Sequence, residues 1–202
     1  MWYYQSTTNI HACSQTERTS LLSLALTLSS PSSLNWTSND CCRWQGTNCD
    51  AAGWVTHLSL PFKGLTLKQG TAFPSFTVVL GNLTHLTHLN LSHNSLDQSV
   101  GSFLSLSHLE VLDLSSNLLS GELPLSLPSS IRMLDLSNNQ FSGSIPSSFF
   151  RQARNLTSFL VSNNTFSGSI PSLVCLHSSP LIRVLEFSFN EFNGSLPSGL
   201  GE

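Results

Sequence analysis

LDLSSNLLSGELP (Leu112–Pro124) and LDLSNNQFSGSIP (Leu134–Pro146) are two copies of one unit. LNLSHNSL (Leu89–Leu96) precedes them, and LVSNNTFSGSIP (Leu160–Pro171) and EFSFNEFNGSLP (Glu186–Pro197) follow. The asparagine closing each LxLSxN core falls at Asn94, Asn117, Asn139, Asn164 and Asn190, with steps of 23, 22, 25 and 26 residues. A degenerate copy, LSLPFKGL (Leu58–Leu65), carries Lys63 where the asparagine would stand, and its step to Asn94 is 31. The extra residues around Thr66 to Phe76 are expected to form a longer loop. Six copies at a near-constant spacing specify a stacked array, because a repeat of this size is one supersecondary unit.

The chemistry of the unit predicts its shape. Alternation along a short strand sends Leu112 and Leu114 inward and Val111, Asp113 and Ser115 to the opposite face. The asparagine turns the chain, and its amide can both donate to and accept from backbone groups of neighbouring coils. Unpaired in a buried turn, each such group would cost roughly 1–3 kcal/mol. Gly143 and Pro146 shape the second half of the coil and return Ile145 to the core. One copy cannot bury its own leucines, so the array folds as a row. The expectation is an α/β leucine-rich repeat solenoid, right-handed, with a parallel sheet along its concave side. Its strands are expected near Leu58, Leu89, Leu112, Leu134, Leu160 and Glu186.

An open row exposes its first coil, and the preceding residues have the features of a cap. Ser14-Gln15-Thr16-Glu17 has capping-box spacing. Leu21, Leu22, Leu24, Ala25 and Leu28 give a short helix one apolar face, halted at Ser29-Ser30-Pro31. Trp36, Trp44 and Trp54 are suited to closing the end of a core. Cys13, Cys41, Cys42 and Cys49 surround this helix, and four cysteines allow three pairings. Bridging the adjacent Cys41 and Cys42 would strain a tiny ring. Zinc is the other use of clustered cysteines, but paired CxxC or matching histidine spacing is missing. Disulfides imply an oxidising compartment.

The SG-x-IP half of the unit resembles the plant-specific class of leucine-rich repeats, and LNWTSNDCCRWQGTNC (Leu34–Cys49) resembles the cap of plant receptor-like kinases and receptor-like proteins. The resemblance implies bridges Cys13–Cys41 and Cys42–Cys49. The segment from Ser158 to Gly201, with Val174-Cys175 within it, looks most like the receptor kinases for tyrosine-sulfated peptides. In those receptors a cysteine at the place of Cys175 pairs with one in the following repeat, and a longer solenoid, a membrane span and a cytoplasmic kinase follow. The resemblance therefore implies residues 1–12 as an unassigned leader remnant, 13–53 as the cap, and 54–202 as six repeats, the last truncated. Met1 to Ala12 lack the basic start and apolar core of a signal peptide. The truncated last repeat is expected to fray from Ser178 onward.

Composition bounds the function. Of 202 residues, only 9% are charged and 40% are hydrophobic, with a formal net charge of −3. That excludes a basic nucleic-acid groove and an anionic-membrane surface. No run approaches the ~18 apolar residues of a membrane span. Sequons stand at Asn35, Asn82, Asn90, Asn155, Asn163 and Asn193. Together with low charge and a cysteine-bearing cap they point to a secreted or cell-surface glycoprotein. Asn90 lies between two inward leucines, where a glycan would obstruct the concave face.

No phosphate loop or kinase signature occurs. Asp113, Asp135 and Glu186 fall in one column, without the partnered acid or enclosing pocket a hydrolase needs. His85 and His88 lie three apart but outside a helix, so a metal pair is not expected. The sequence implies no enzyme and no cofactor. The candidate ligand face comprises His88, Val111, Asp113, Met133, Asp135, Ser158 and Glu186. By the resemblance it meets an extracellular peptide or protein ligand, with a possible co-receptor. A secreted inhibitor of a microbial wall-degrading enzyme, or a truncated receptor product without function, are the alternative readings.

Overall fold

The computed structural model describes residues 12–29, 34–67, 78–97, 99–172, 174 and 181–198. Cys175, Ser178 and the leader residues before Ala12 lie outside them. One helix, α1 (Gln15–Thr27), opens the described chain. Thirteen short strands follow: β1 (Leu28–Ser29), β2 (Thr47–Cys49), β3 (Val55–Ser59), β4 (Thr66–Leu67), β5 (His88–Asn90), β6 (Val111–Asp113), β7 (Ser120–Gly121), β8 (Met133–Asp135), β9 (Gln140–Ser144), β10 (Ser158–Leu160), β11 (Thr165–Gly168), β12 (Val184–Glu186) and β13 (Glu191–Phe192). They form a seven-stranded sheet in the order β12-β10-β8-β6-β5-β3-β2, a four-stranded sheet β13-β11-β9-β7, and a β1–β4 pair. From β3 to β12 the long sheet is parallel, and β2 closes it antiparallel. No helix of the described residues is long and apolar enough to cross a membrane.

The inward leucines sit where alternation puts them. Leu58, Leu89, Leu112 and Leu134 occupy one register row and are fully buried. That row continues through Phe159 and Leu185, so the expected strand centres at Leu160 and Glu186 are each one residue too far along. A one-residue slip reverses the face of every side chain: Leu160 and Glu186 point to solvent, while Phe159 and Val161 are fully buried. Ser115 also departs from expectation. It is buried, because β6 ends at Asp113 and the chain turns inward.

Asparagine side chains stitch the coils together. Asn117 Nδ2 donates to the carbonyls of Leu91 (3.0 Å) and Leu114 (3.0 Å), and Asn117 Oδ1 accepts from Leu96 N–H (3.1 Å). Asn94, Asn139, Asn164 and Asn190 repeat the pattern, each reaching back to the preceding coil. The residue before each, and Phe62 before Lys63 at the equivalent place in the first repeat, is held at left-handed φ: Phe62, His93, Ser116, Asn138, Asn163 and Phe189 all lie between 54° and 56°. Gly143 is required for another reason. Its φ is +75°, and an added Cβ would lie 2.9 Å from the Glu122 side chain.

The cap joins the row through one carboxylate. Ser14 Oγ accepts from Glu17 N–H (3.2 Å), as the capping box predicts. The Glu17 carboxylate accepts from the Ser14 hydroxyl (3.4 Å) and also from Val55 N–H (3.2 and 3.3 Å), the first residue of β3. Burial raises the Glu17 pKa, opposed by those bonds from Val55 and Ser14. The helix ends before Ser29, since Leu28–Ser29 pairs with Thr66–Leu67 from the first inter-repeat insert.

Disulfides join Cys13 to Cys41 and Cys42 to Cys49, with Cα–Cα distances of 5.6 and 5.5 Å. Trp36 and Trp44 are buried and stacked 5.2 Å apart. Trp54 is not part of this plug: it is 37% exposed and stacks on His85 at 4.5 Å.

Asn117→Ala leaves Leu96 N–H unpaired in a buried turn and removes one of the two asparagine donors at each of Leu91 O and Leu114 O, and is expected to cost about 1–3 kcal/mol in urea unfolding. Glu17→Ala, which leaves the Val55 N–H unpaired, should cost about 1–3 kcal/mol by the same measurement. Glu17→Gln keeps an acceptor there and should lose less.

Candidate functional site

Two solvent-facing columns flank the buried row on the long sheet. One runs His57, His88, Val111, Met133, Ser158 and Val184; the other runs Ser59, Asn90, Asp113, Asp135, Leu160 and Glu186. All seven expected face residues therefore share one surface. The acidic column is not continuous, because Leu160 separates Asp135 from Glu186.

These acids have structural partners. Asp113 Oδ1 accepts from the N–H (3.0 Å) and hydroxyl (2.7 Å) of Ser115, and Asp135 Oδ1 accepts from Ser137 N–H (2.9 Å). Asn90 makes the equivalent bonds to Ser92 at 2.9 and 2.8 Å. Each closes a side-chain turn at the strand end. Burial raises the Asp135 pKa against those Ser137 bonds, and Asp113 and Glu186 push it the same way.

Sequence reasoning missed the histidine pair at the amino-terminal end of this face. His57 and His88 stack at 4.1 Å with an interplanar angle of 13°. Trp54–His85 and Phe62–His93 stack across the same seam, at 4.5 and 4.0 Å. All three pairs share the sequence offset of 31 residues between the first two repeats. The available signal was the hydroxyl–histidine dipeptide in register, Thr56-His57 and Thr87-His88, in which each hydroxyl lies 2.9 Å from the ring Nδ1. Burial lowers the His88 pKa, helped by His57 and opposed by Glu110. The pair lines a cleft of about 290 Å³ that extends to Asp113, Val111 and Met133.

Among the described residues, Cys13, Asp40 and Cys42 are the metal-type donors brought together. Both sulfurs are bound in disulfides, so they offer no thiolate to a metal. The Asn35, Asn82, Asn155, Asn163 and Asn193 side chains are on the exposed surface, whereas Asn90 is half-buried within β5. Asn163 Nδ2 donates to Asn138 Oδ1 (2.9 Å), and Asn155 Nδ2 donates to Ser129 O (3.0 Å).

A sheet of parallel strands with an asparagine ladder and a second sheet built on SG-x-IP defines a plant-type leucine-rich repeat solenoid. The Leucine Rich Repeat family model matches residues 85–106, 108–129, 130–151 and 155–176. The chain belongs to the plant leucine-rich repeat receptor ectodomains. It is similar to Receptor-like protein 3 of Arabidopsis thaliana, 44% identical over 205 aligned residues, covering 94% of this chain and 26% of that protein. Phytosulfokine receptor 1 of Arabidopsis thaliana is 38% identical over 168 residues, 82% of this chain and 14% of that receptor. The Arabidopsis receptor kinase HAESA, solved with the peptide hormone IDA and the co-receptor SERK1, superposes with a TM-score of 0.81 at 33% identity, over 93% of this chain and 32% of HAESA. The chain thus spans about a quarter or less of the curated relatives named here.

Asp135 is neutral more readily in the fold than in the unfolded chain, so its contribution to stability is greatest below its ordinary value of 3.8 and declines as pH rises through the raised folded value. Asp135→Asn keeps an acceptor for Ser137 N–H and removes that decline. Thermal unfolding across this acid window should show a flatter pH profile for the variant than for the parent.

Proposed function

We propose that this chain is the amino-terminal part of the extracellular domain of a plant membrane receptor that recognises a secreted peptide on the long-sheet face. The observation carrying this reading is the pair of solvent-facing columns. Strands about 4.8 Å apart present these side chains as a continuous strip along which an extended peptide can lie. The HAESA complex, with a peptide hormone and a co-receptor, supports it by similarity. On this reading residues 13–53 are the cap and 54–202 six repeats of a longer solenoid, in a cell-surface parent with a membrane span and a cytoplasmic kinase. The exposed Asn35, Asn82, Asn155, Asn163 and Asn193 carry glycans, while Asn90 stays bare so that the face remains open.

The half-burial of the last coil supports a longer row. Leu185, Phe187 and Phe192 are half-buried where their counterparts Phe159, Val161 and Phe166 are fully buried, and Leu196 is 71% exposed. Stacking a further coil over them would remove apolar surface from water at about 25 cal/mol per Å².

Amide exchange on the isolated chain should therefore be faster at Leu185 and Phe187 than at Leu112, and a parent carrying further repeats should remove the difference. For the ligand, a panel of synthetic secreted peptides is titrated calorimetrically against the parent ectodomain. Met133→Arg should weaken the bound peptide at least about tenfold, a loss of about 1.4 kcal/mol. An unchanged affinity, or no peptide bound, overturns the reading.

A further inference from the structure

The stacked histidines at the amino-terminal end of the face lie against hydroxyls whose hydrogen bonds favour one ring tautomer, and that tautomer selects a ligand. Thr87 Oγ1 donates its single proton to Thr56 O (3.1 Å), and Thr56 Oγ1 donates to Asn48 O (3.3 Å). A carbonyl can only accept, so each hydroxyl has only lone pairs left for its neighbouring ring. With the hydroxyls so oriented, His57 and His88 donate through Nδ1–H, at 2.9 Å in both cases. In the neutral rings each Nε2 is left as a bare acceptor. The two rings lie 4.1 Å apart and nearly parallel, so these acceptors are presented side by side.

The remaining lining groups agree with this polarity. Asp113 commits Oδ1 to Ser115 and retains Oδ2 for a ligand. Val111 and Met133 supply apolar wall, and Asn90, whose Oδ1 is held by Ser92, adds an amide donor at the edge. An anionic group entering this cleft would meet two nitrogen lone pairs and a carboxylate. A cation with an aliphatic stem meets three acceptors and an apolar wall.

We propose that the His57–His88 cleft is the subsite for a lysine or arginine side chain of the bound peptide, with both imidazole Nε2 atoms and the Asp113 carboxylate as its acceptors. The proposal rests on the reading of this face as a peptide-recognition surface and adds a charge requirement to it. Protons compete with the ligand for the same lone pairs. The groups facing the pair are His57 from β3, His88 from β5, Glu110 and Asp113 around β6, and Arg132, which is engaged with Glu110 at 3.0 Å. Burial and the neighbouring ring both oppose protonation of His88, so its acceptor persists near neutral pH and is lost on acidification.

The test uses the 202-residue chain itself. Histidine side-chain nitrogen–proton spectra are followed while N-acetyl-arginine amide and N-acetyl-lysine amide are added, with the norleucine and glutamate analogues as comparisons. Saturable shifts of the His57 and His88 rings are expected for the two cations alone, weakening several-fold from about pH 7.5 to about pH 5 as His88 protonates. Asp113→Asn, which keeps the Ser115 bonds, should weaken binding. The paired substitutions His57→Phe and His88→Phe preserve ring stacking but remove both acceptors, and should abolish it. Equal response to norleucine, or undiminished arginine binding by the phenylalanine variant, overturns the proposal. Failure here with peptide binding intact in the parent ectodomain removes this subsite alone. Arginine binding here without peptide binding in the parent removes the receptor reading instead.

Discussion

The asparagine at the end of each strand is the constraint on which the solenoid depends. A leucine row supplies burial but no direction, and apolar contact alone would let neighbouring coils slide. The amide fixes their offset because it satisfies two carbonyls and an N–H that belong to two different coils, as Asn117 does with Leu91, Leu114 and Leu96. Those groups are buried with it and have no water to turn to. The cost of the left-handed residue immediately before each asparagine is set against these bonds. Non-glycine side chains persist there because the surrounding hydrogen bonds leave the backbone no alternative.

A ladder that always reaches backward needs a different device at its first rung. Lys63 stands at the ladder position of the first repeat and has no amide to offer, so that coil cannot be tied to the cap in the same way. Glu17 replaces it. A residue whose spacing marks it as a helix-capping partner bridges the helix start and the leading N–H of β3. Gly46 makes the second contact: its carbonyl accepts from Ser59 N–H (2.7 Å), and an added Cβ would stand 2.3 Å from Ser59 O. Cap and row are thus joined by backbone hydrogen bonds that any side chain at Gly46 would break.

The repeat, the inward leucines, both disulfides and the face residues were legible because each follows from a period or from a motif. The errors come where period and chemistry separate. The strands expected near Leu160 and Glu186 are β10 and β12, centred one residue earlier at Phe159 and Leu185, since register is counted back from the ladder asparagine and not from the first residue of a quoted match. Trp54 was assigned to the core on size, yet its place in the stack beside His85 keeps one edge in water. The histidine pair was hidden by the long first insert. Thirty-one residues separate rings that the fold brings into van der Waals contact, and no helical or strand period connects them.

The second sheet gives the molecule an uneven stiffness along its length. From the third repeat to the sixth, consecutive coils are held along two lines, the long sheet and the β7–β9–β11–β13 ladder. Among the described residues the first two repeats have no strand in that second ladder, and the seam between them is spanned by stacked rings instead. Rings resist compression but tolerate shear, whereas a hydrogen-bonded ladder resists both. The first coils are therefore joined through the long sheet, the Asn94 amide and the ring stacks, and the later coils through two ladders that run side by side.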